Sequence, residues 1–381
     1  MTVAFLSLAA FLCFLAYERI TLDRLRRSIP MVIAVTGSRG KSSVVRMLSS
    51  VLRQKGMRVL AKTTGSQAQL EFPDGEIKDI PRRGIVSILE QKKILHTAAQ
   101  MEVDCLIAEI MSIRPENHVA ESQQILRPNI VVITNVRRDH LEAMGDTEGA
   151  IAEVLKLDVP GAVSVYVPEQ YAHFFRDAAM GFPGSALRAV HVERQQGGPL
   201  EFSDNVALVR RVADDLGISD EICSRGIQNA HHDAGRLKIW RYTKDGKSVF
   251  LVNAFAANDP DSTLEIYNKV ARVLRANPSS FLGLLNLRDD RPDRTLQWIE
   301  TLKDGWSSSF KTIFVLDGHS RVVKRRIDAV EELKREDPRR MTESAVARMA
   351  DGDILFGFGN IGGAGRQLVD HWQEIGEEYG I

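Results

Sequence analysis

A two-domain α/β protein, each domain built on a mostly parallel sheet and the whole preceded by an apolar helix, is the fold the sequence predicts. Three observations predict it. From Met31 onward, short apolar runs alternate with longer helical patterns, the signature of strands joined by helical crossovers. The length, 381 residues, suits two ordinary cores better than one. Residues 2–17, TVAFLSLAAFLCFLAY, carry no charge and are followed at once by Glu18, Arg19, Arg24, Arg26 and Arg27.

That N-terminal run reads as a membrane helix. Its residues rise about 24 Å against a hydrocarbon core of about 30 Å, so thinning or snorkelling arginines complete the span. A cleaved signal peptide would carry a basic segment first and a small-residue cleavage site afterwards. The basic flank lies instead on the C-terminal side, which predicts a single-pass anchor with the body on the cytoplasmic face.

Five strands are expected next: MVIAVT (31–36), MRVLA (57–61), VDCLIAE (103–109), NIVVIT (129–134) and AVSVYV (162–167). In open parallel sheets the ligand crevice lies beyond the carboxyl ends of the strands. The residues after each run therefore form one candidate set: 37–42, then Lys62, Thr63, Thr64 and Gly65, then Glu109, then 135–140.

The first of these is IAVTGSRGKSS. Gly37 and Gly40 let backbone approach a phosphate, a helix start supplies unpaired N–H groups through Ser38, Arg39 and Ser43, Lys41 is a point charge, and Ser42 can ligate Mg²⁺. Strand before and helix after make it a nucleotide loop, although Val35 stands where the common GxxxxGK[ST] pattern has glycine. Glu109 closes an apolar strand at a place suited to a hard cation. His140, with Asp139 to orient it, is a second candidate ligand one strand end away.

A smaller α/β domain is expected after Gly235, with strands SVFLVNAFA (248–256), FLGLLNL (281–287), KTIFVLD (311–317) and DILFGFG (353–359). The last continues into GFGNIGG, a GxGxxG with too little chain after it for the acidic residue a dinucleotide site needs, so it reads as a tight turn. Arg288, Arg291 and Arg294 alternate with acids directly after a strand. Arginine forks match carboxylates, which makes these three candidates for an anionic substrate, with Arg82 and Arg83 a second group.

Fifty Lys plus Arg balance fifty Asp plus Glu, so no global field recruits nucleic acid and any anion is held locally. Cys13, Cys105 and Cys223 form no CxxC pair, against both a disulfide framework and structural zinc.

TGSRGKS, the strand-end Glu109, TNVRRDHLEAMG, AGRLKIW and NAFAANDPDS, in that order, resemble the ATP-dependent amide ligases of the Mur ligase and folylpolyglutamate synthase superfamily. KTTGSQA, EQKKIL, RDDRPDRTLQW, GFGNIGGA and the N-terminal apolar segment are most similar to its membrane poly-γ-glutamate synthase family. The resemblance implies a P-loop ATPase domain like the Mur central domain over 19–234, a Rossmann-like C-terminal domain over 235–381, and an anchor over 1–18. It further implies ATP and Mg²⁺ as cofactors, Lys41 on phosphate, Ser42 on one Mg²⁺, Glu109 and His140 on another, and Arg236 against ATP.

Two departures stand out. Where many Mur ligases carry a carbamylated lysine, this chain has Ala152-Glu153, so Glu153 is expected to compensate in part. The Mur DYAHNPD motif maps onto FAANDPD with Phe255 in place of the ribose-binding aspartate, leaving Asn253 or Asn258 for that role. The implied reaction activates a carboxylate as an acyl phosphate and joins glutamate through γ-amide bonds, with Thr63 and Thr64 near substrate. Glutamate, the polymer and small membrane subunits are the implied partners, with a homo-oligomer possible in this family. A folylpolyglutamate synthase, a P-loop ATPase that powers a membrane complex, and a nucleotide-binding scaffold are the other readings.

Overall fold

The computed structural model describes the chain apart from Met1, residues 66–67, 83–85 and 139–140, Ala162, Phe182, residues 193–201 and 232–234, Asn258, residues 317–318, Ala329 and the last two residues. Two compact units form, one from Met1–Gln196 with Phe202–His232, the other from Asp233 onward.

In the first unit, helix α1 (Thr2–Arg27) runs 26 residues, ten beyond the apolar run, without a break. By length and composition it could cross a membrane. Val3, Phe5, Leu8, Phe11, Phe14 and Tyr17 are exposed, whereas Leu22 is buried against the body. The charged end of the helix is tied down: Glu18 pairs with Lys92 at 2.6 Å, Asp23 with Arg127 at 2.7 Å, and Arg26 donates to Asn129 Oδ1 at 2.7 Å. The same Asn129 oxygen accepts from Val32 N–H at 2.8 Å, so the helix end is coupled directly to the sheet.

That sheet has eight strands: β1 (Met31–Thr36), β2 (Val59–Thr63), β3 (Gln69–Glu71), β4 (Ile77–Asp79), β5 (Cys105–Glu109), β6 (Ile130–Ile133), β7 (Ser164–Pro168) and β8 (Ala186–Val190), in spatial order β4-β3-β2-β5-β1-β6-β7-β8. From β2 to β8 in that order the pairing is parallel, and β3 is antiparallel to both β2 and β4. Buried on both faces, the central strands read as unbroken apolar runs, which is why the sequence reveals them. Period-two alternation then sorts their side chains. Ile33 and Val35, Val59 and Ala61, Cys105 and Ile107 pack toward helix α2 (Lys41–Gln54). Val32 and Ala34, Leu60, Leu106 and Ala108 pack toward helix α3 (Glu90–Gln100) on the other face.

In the second unit the strands are β9 (Lys238–Lys244), β10 (Lys247–Asn253), β11 (Phe281–Asn286), β12 (Ile313–Leu316), β13 (Val330–Glu332), β14 (Ile354–Phe358) and β15 (Glu377–Glu378), ordered β13-β12-β11-β14-β10-β9-β15. β10 to β14 are parallel, and β9 is antiparallel to both its neighbours. Asp245 (φ 50°) and Gly246 (φ 77°) make the two-residue turn joining β9 to β10, the positive-φ pair that a twisted hairpin demands. Phe255 is fully buried on Trp372 (centroids 5.8 Å apart) and lies where a Cβ on Gly357 would fall. The residue standing in for an expected ribose ligand is thus core.

Candidate functional site

Glu109, Lys41 and Ser42 come together because two short-range rules agree. Glu109 continues the Cys105–Ile107 face of β5 and so aims at α2, and register sets it beside Val35 of β1. The loop after β1 then delivers the first turn of α2 to the same place. Ser42 Oγ donates to Glu109 Oε2 at 2.8 Å, and Thr64 N–H donates to the same oxygen at 2.8 Å. Glu109 is almost fully buried. Lys41 Nζ donates to Gly37 O at 2.7 Å.

The loop is held open by partners outside it. Asn135, beyond β6, clasps the backbone of one residue at both of its peptide groups: Oδ1 accepts from Arg39 N–H at 3.0 Å and Nδ2 donates to Arg39 O at 2.9 Å. Its carbonyl accepts from Ser38 N–H at 3.2 Å, and Ser38 Oγ bonds Arg137 O at 2.7 Å. Ser38 and Arg39 therefore spend their N–H groups on Asn135. The groups left for an anion are those of the α2 first turn, Gly40 to Ser43, which lack intrahelical acceptors. Gly37 (φ 120°) and Gly40 (φ 82°) are required twice over, since a Cβ at Gly40 would also lie 2.6 Å from the Asn205 amide nitrogen.

Behind the site lies a buried polar layer. Gln91 Nε2 donates to Glu109 O at 3.2 Å and to Glu121 Oε1 at 2.5 Å. The fully buried Glu121 also accepts from the N–H groups of Met111 (3.1 Å) and Ser112 (2.9 Å) and from Ser112 Oγ (2.5 Å). It thereby pins the chain where it leaves Glu109. Burial pushes its carboxyl above the ordinary range, against those hydrogen bonds. Lys62, on the α3 face of β2, is wholly buried with Nζ 2.8 Å from Glu90 Oε1, and Arg82 holds the same carboxylate through two bonds of 3.1 Å. Burial lowers the Lys62 ammonium despite Glu90. Partial burial would raise Glu90, but hydrogen bonds from Arg82 and Lys62 outweigh it and hold the carboxyl below its usual range. At the end of β1, Thr36 Oγ1 donates to Asp158 Oδ2 at 2.6 Å, and His118 Nδ1 lies 2.9 Å from the same carboxylate.

Several expected residues stand elsewhere. His140 and Asn258 lie outside the described residues. Thr63 is buried with Oγ1 toward Arg46 at 3.4 Å, and Thr64 supports Glu109 through its backbone. Asn253 is fully buried, its Nδ2 on Arg236 O at 3.0 Å and its Oδ1 on Phe255 N–H at 3.3 Å. Its amide closes the end of β10 and offers no face to a ribose. Arg236 is half-buried just before β9. Arg288 is held by Asp290 at 2.7 and 2.8 Å, the self-paired arrangement that alternating charges favour. Arg291 is exposed, and Arg294 is half-buried with Nη1 3.5 Å from Gln297. All three do follow the carboxyl end of β11.

Glu153 corrects the expectation placed on it. Its carboxylate pairs with Lys156 at 2.5 Å and is 69% exposed, whereas a compensating ligand needs to face the site. Glu153→Ala is expected to leave the divalent-cation dependence of any turnover at the wild-type value, read as the half-saturating Mg²⁺ concentration.

Among the described residues no group of three His, Cys, Asp or Glu is placed to hold a metal. Ser42 and Glu109 form a hydroxyl–carboxylate pair, hard oxygen donors of the kind Mg²⁺ takes. The α2 first turn and Lys41 fit the phosphates of a nucleotide.

A parallel sheet with a glycine loop on a helix N-terminus, a strand-end carboxylate beside it, and a second mixed α/β unit make up an α/β fold of the Mur ligase kind. Residues 35–158 match the Mur ligase middle domain, and residues 239–375 match the poly-gamma-glutamate synthase CapB C-terminal domain. The chain thus combines a region similar to the Mur ligase middle domain with one similar to the CapB C-terminal domain. It is 33% identical over 279 residues to the capsule biosynthesis protein CapB of Bacillus anthracis, a match covering 71% of this chain and 60% of that protein. It is 28% identical over 361 residues to the PGA synthase CapB of Bacillus subtilis (strain 168), covering 91% of each. In fold it is similar to the bifunctional folylpolyglutamate synthase/dihydrofolate synthase of Yersinia pestis complexed with AMPPNP and Mn ion, with a TM-score of 0.69, 16% identity, and coverage of 96% of this chain and 97% of that one.

Proposed function

We propose that the protein is a membrane-anchored, ATP- and Mg²⁺-dependent amide ligase that joins glutamate through γ-amide bonds, releasing ADP and phosphate. The observation that carries this reading is the bond from Ser42 to Glu109 at the mouth of the glycine loop, with Lys41 on the adjoining turn. Around it stands the kinship with the CapB proteins.

A carboxylate is a poor electrophile, and phosphorylating it provides a leaving group. Catalysis of that transfer is mainly positioning and electrostatics. A divalent cation, when bound, supplies Lewis acidity that spreads the phosphate charge. Ser42, Glu109 and the sequence-expected His140 are the residues proposed to hold it. Lys41 and the N–H groups of Gly40 to Ser43 are proposed to neutralise phosphate oxygens. Thr64 and Gln91 hold Glu109 in place, one on its carboxylate and one on its carbonyl. Arg236 is proposed to contact ATP, and Arg291 and Arg294 the anionic substrate. The exposed apolar face of α1 supports a single-pass anchor, and a product too charged to cross a bilayer implies membrane subunits as partners.

Isotope transfer tests the reading. With ¹⁸O in the glutamyl carboxylate, label is expected in the released phosphate, because an acyl phosphate bridges the two. Turnover without label supports an ATPase that powers a complex, and label appearing only with a folate acceptor supports a folylpolyglutamate synthase.

A further inference from the structure

We propose that the segment Ser320–Arg326 in the second unit is a landing track for a polycarboxylate chain, the growing product of the ligation proposed above, on which this inference rests. Four of the six residues from Arg321 to Arg326 are cations: Arg321, Lys324, Arg325 and Arg326. All four are exposed. Among the described residues none of them has an ion-pair partner. Other exposed cations of this unit do have one, among them Arg339 with Glu343 at 3.2 Å and Arg366 with Asp370 at 2.9 Å, though among the described residues Arg291 and Lys303 do not.

The arrangement works against its own helix. Arg321 and Arg325 are four apart, and Arg321 and Lys324 three apart, spacings at which like charges repel. Nearby acids do not relieve this. Glu332 accepts from Ser320 Oγ at 3.0 Å and Glu331 pairs with Arg348 at 3.5 Å. Asp328, exposed two residues beyond Arg326, is the one acid in residues 320–328. Clustering that folding does not favour points to a ligand.

Position says which ligand. The short helix Ser320–Lys324 follows the carboxyl end of β12, beside β11. Leu287 N–H donates to Leu316 O at 3.2 Å, and Thr295 Oγ1 lies 3.3 Å from His319 Nδ1. Arg291 and the first turn of the helix Pro292–Lys303, which carries Arg294, are thus tied to the same end of the sheet. Guanidinium forks match carboxylates. Scattered exposed cations hold one glutamate weakly but gain on a chain that presents many carboxylates together. Residues 320–328 contain no aromatic ring on which a nucleic-acid base could stack.

The test measures binding of the full-length protein in detergent to poly-γ-glutamate of defined length. Changing Arg321→Gln, Lys324→Gln, Arg325→Gln and Arg326→Gln together is expected to weaken polymer binding about tenfold, each exposed charge contributing a little, and to shorten the chains made. A control, Arg339→Gln with Arg340→Gln, keeps wild-type affinity. Unchanged polymer affinity in the fourfold variant overturns the track. So does a loss of binding to vesicles of anionic lipid without a loss on polymer, which assigns the patch to the membrane surface. Glutamate-dependent ADP release by the wild-type protein is followed in parallel. Its absence would overturn the ligase reading, a result separate from the polymer affinities.

Discussion

Lys41→Ala is expected to lower glutamate-dependent ADP release by about a hundred- to a thousandfold, the scale seen when one preorganised charge-stabilising donor is removed. The ammonium sits on the first residue of α2, 2.7 Å from Gly37 O, inside the loop whose free N–H groups define the anion position. Its loss takes away a full charge and leaves the fold intact, because Asn135 holds the loop from the other side. The defect should fall on kcat more than on KM for glutamate, since this charge acts on the transferring phosphoryl group. Far-ultraviolet circular dichroism and the unfolding midpoint should match wild type. A variant that turns over at the wild-type rate would remove phosphate from this loop.

Glu90→Gln is expected to destabilise the protein by about 3 kcal/mol at neutral pH, the lower end for breaking a buried ion pair by deleting one partner. Lys62 has no exposure and Glu90 only 14%, so the buried ammonium loses its carboxylate partner and is left with the Met111 sulfur 3.3 Å away. The pH dependence has a definite sign. Glu90 titrates lower in the folded protein than in the unfolded chain, so its contribution is complete above the ordinary carboxylate range and is lost as pH falls through the depressed folded value. Urea unfolding should therefore show wild type and variant converging in acid. Lys62 acts in the opposite region. Its lowered folded value means the cost of burying it is relieved as pH rises toward the ordinary lysine range. Glu90→Gln with Lys62→Met should recover much of the lost stability, because the stranded charge is then gone. Equal midpoints for wild type and Glu90→Gln across the pH range would show the pair to be without net effect.

The central strands were legible because each is buried on both faces. IVVI and CLIA are apolar throughout, and the residues at their carboxyl ends are the polar ones of the site. The shorter strands were not. QLE and IKD form the β3–β4 edge hairpin, three residues each and too short for a period. Strand β9, KIWRYTK, is not among the expected strands either, although the Asp-Gly between two alternating runs is a strong hairpin signal for it. At the site, Lys41, Ser42 and Glu109 were readable from a glycine loop and strand-end positions. Asn135 as the clasp of the loop was not, nor were Gln91 and Glu121 as supports of Glu109. Asn253 shows the converse: a motif position suggested a ribose ligand, and burial gave the side chain to the backbone of its own hairpin.

By itself, the sequence determined what depends on neighbours along the chain: which residues alternate on a strand, where glycines permit positive φ, where a helix begins, and which helix is apolar enough for a bilayer. Only the tertiary structure decided which buried polar groups satisfy one another. Asn135 and Arg39 are 96 positions apart, and Thr36 and Asp158 are 122 apart. A buried donor or acceptor must find a partner, but its own sequence surroundings carry no mark of which one, since the choice is made when distant elements pack.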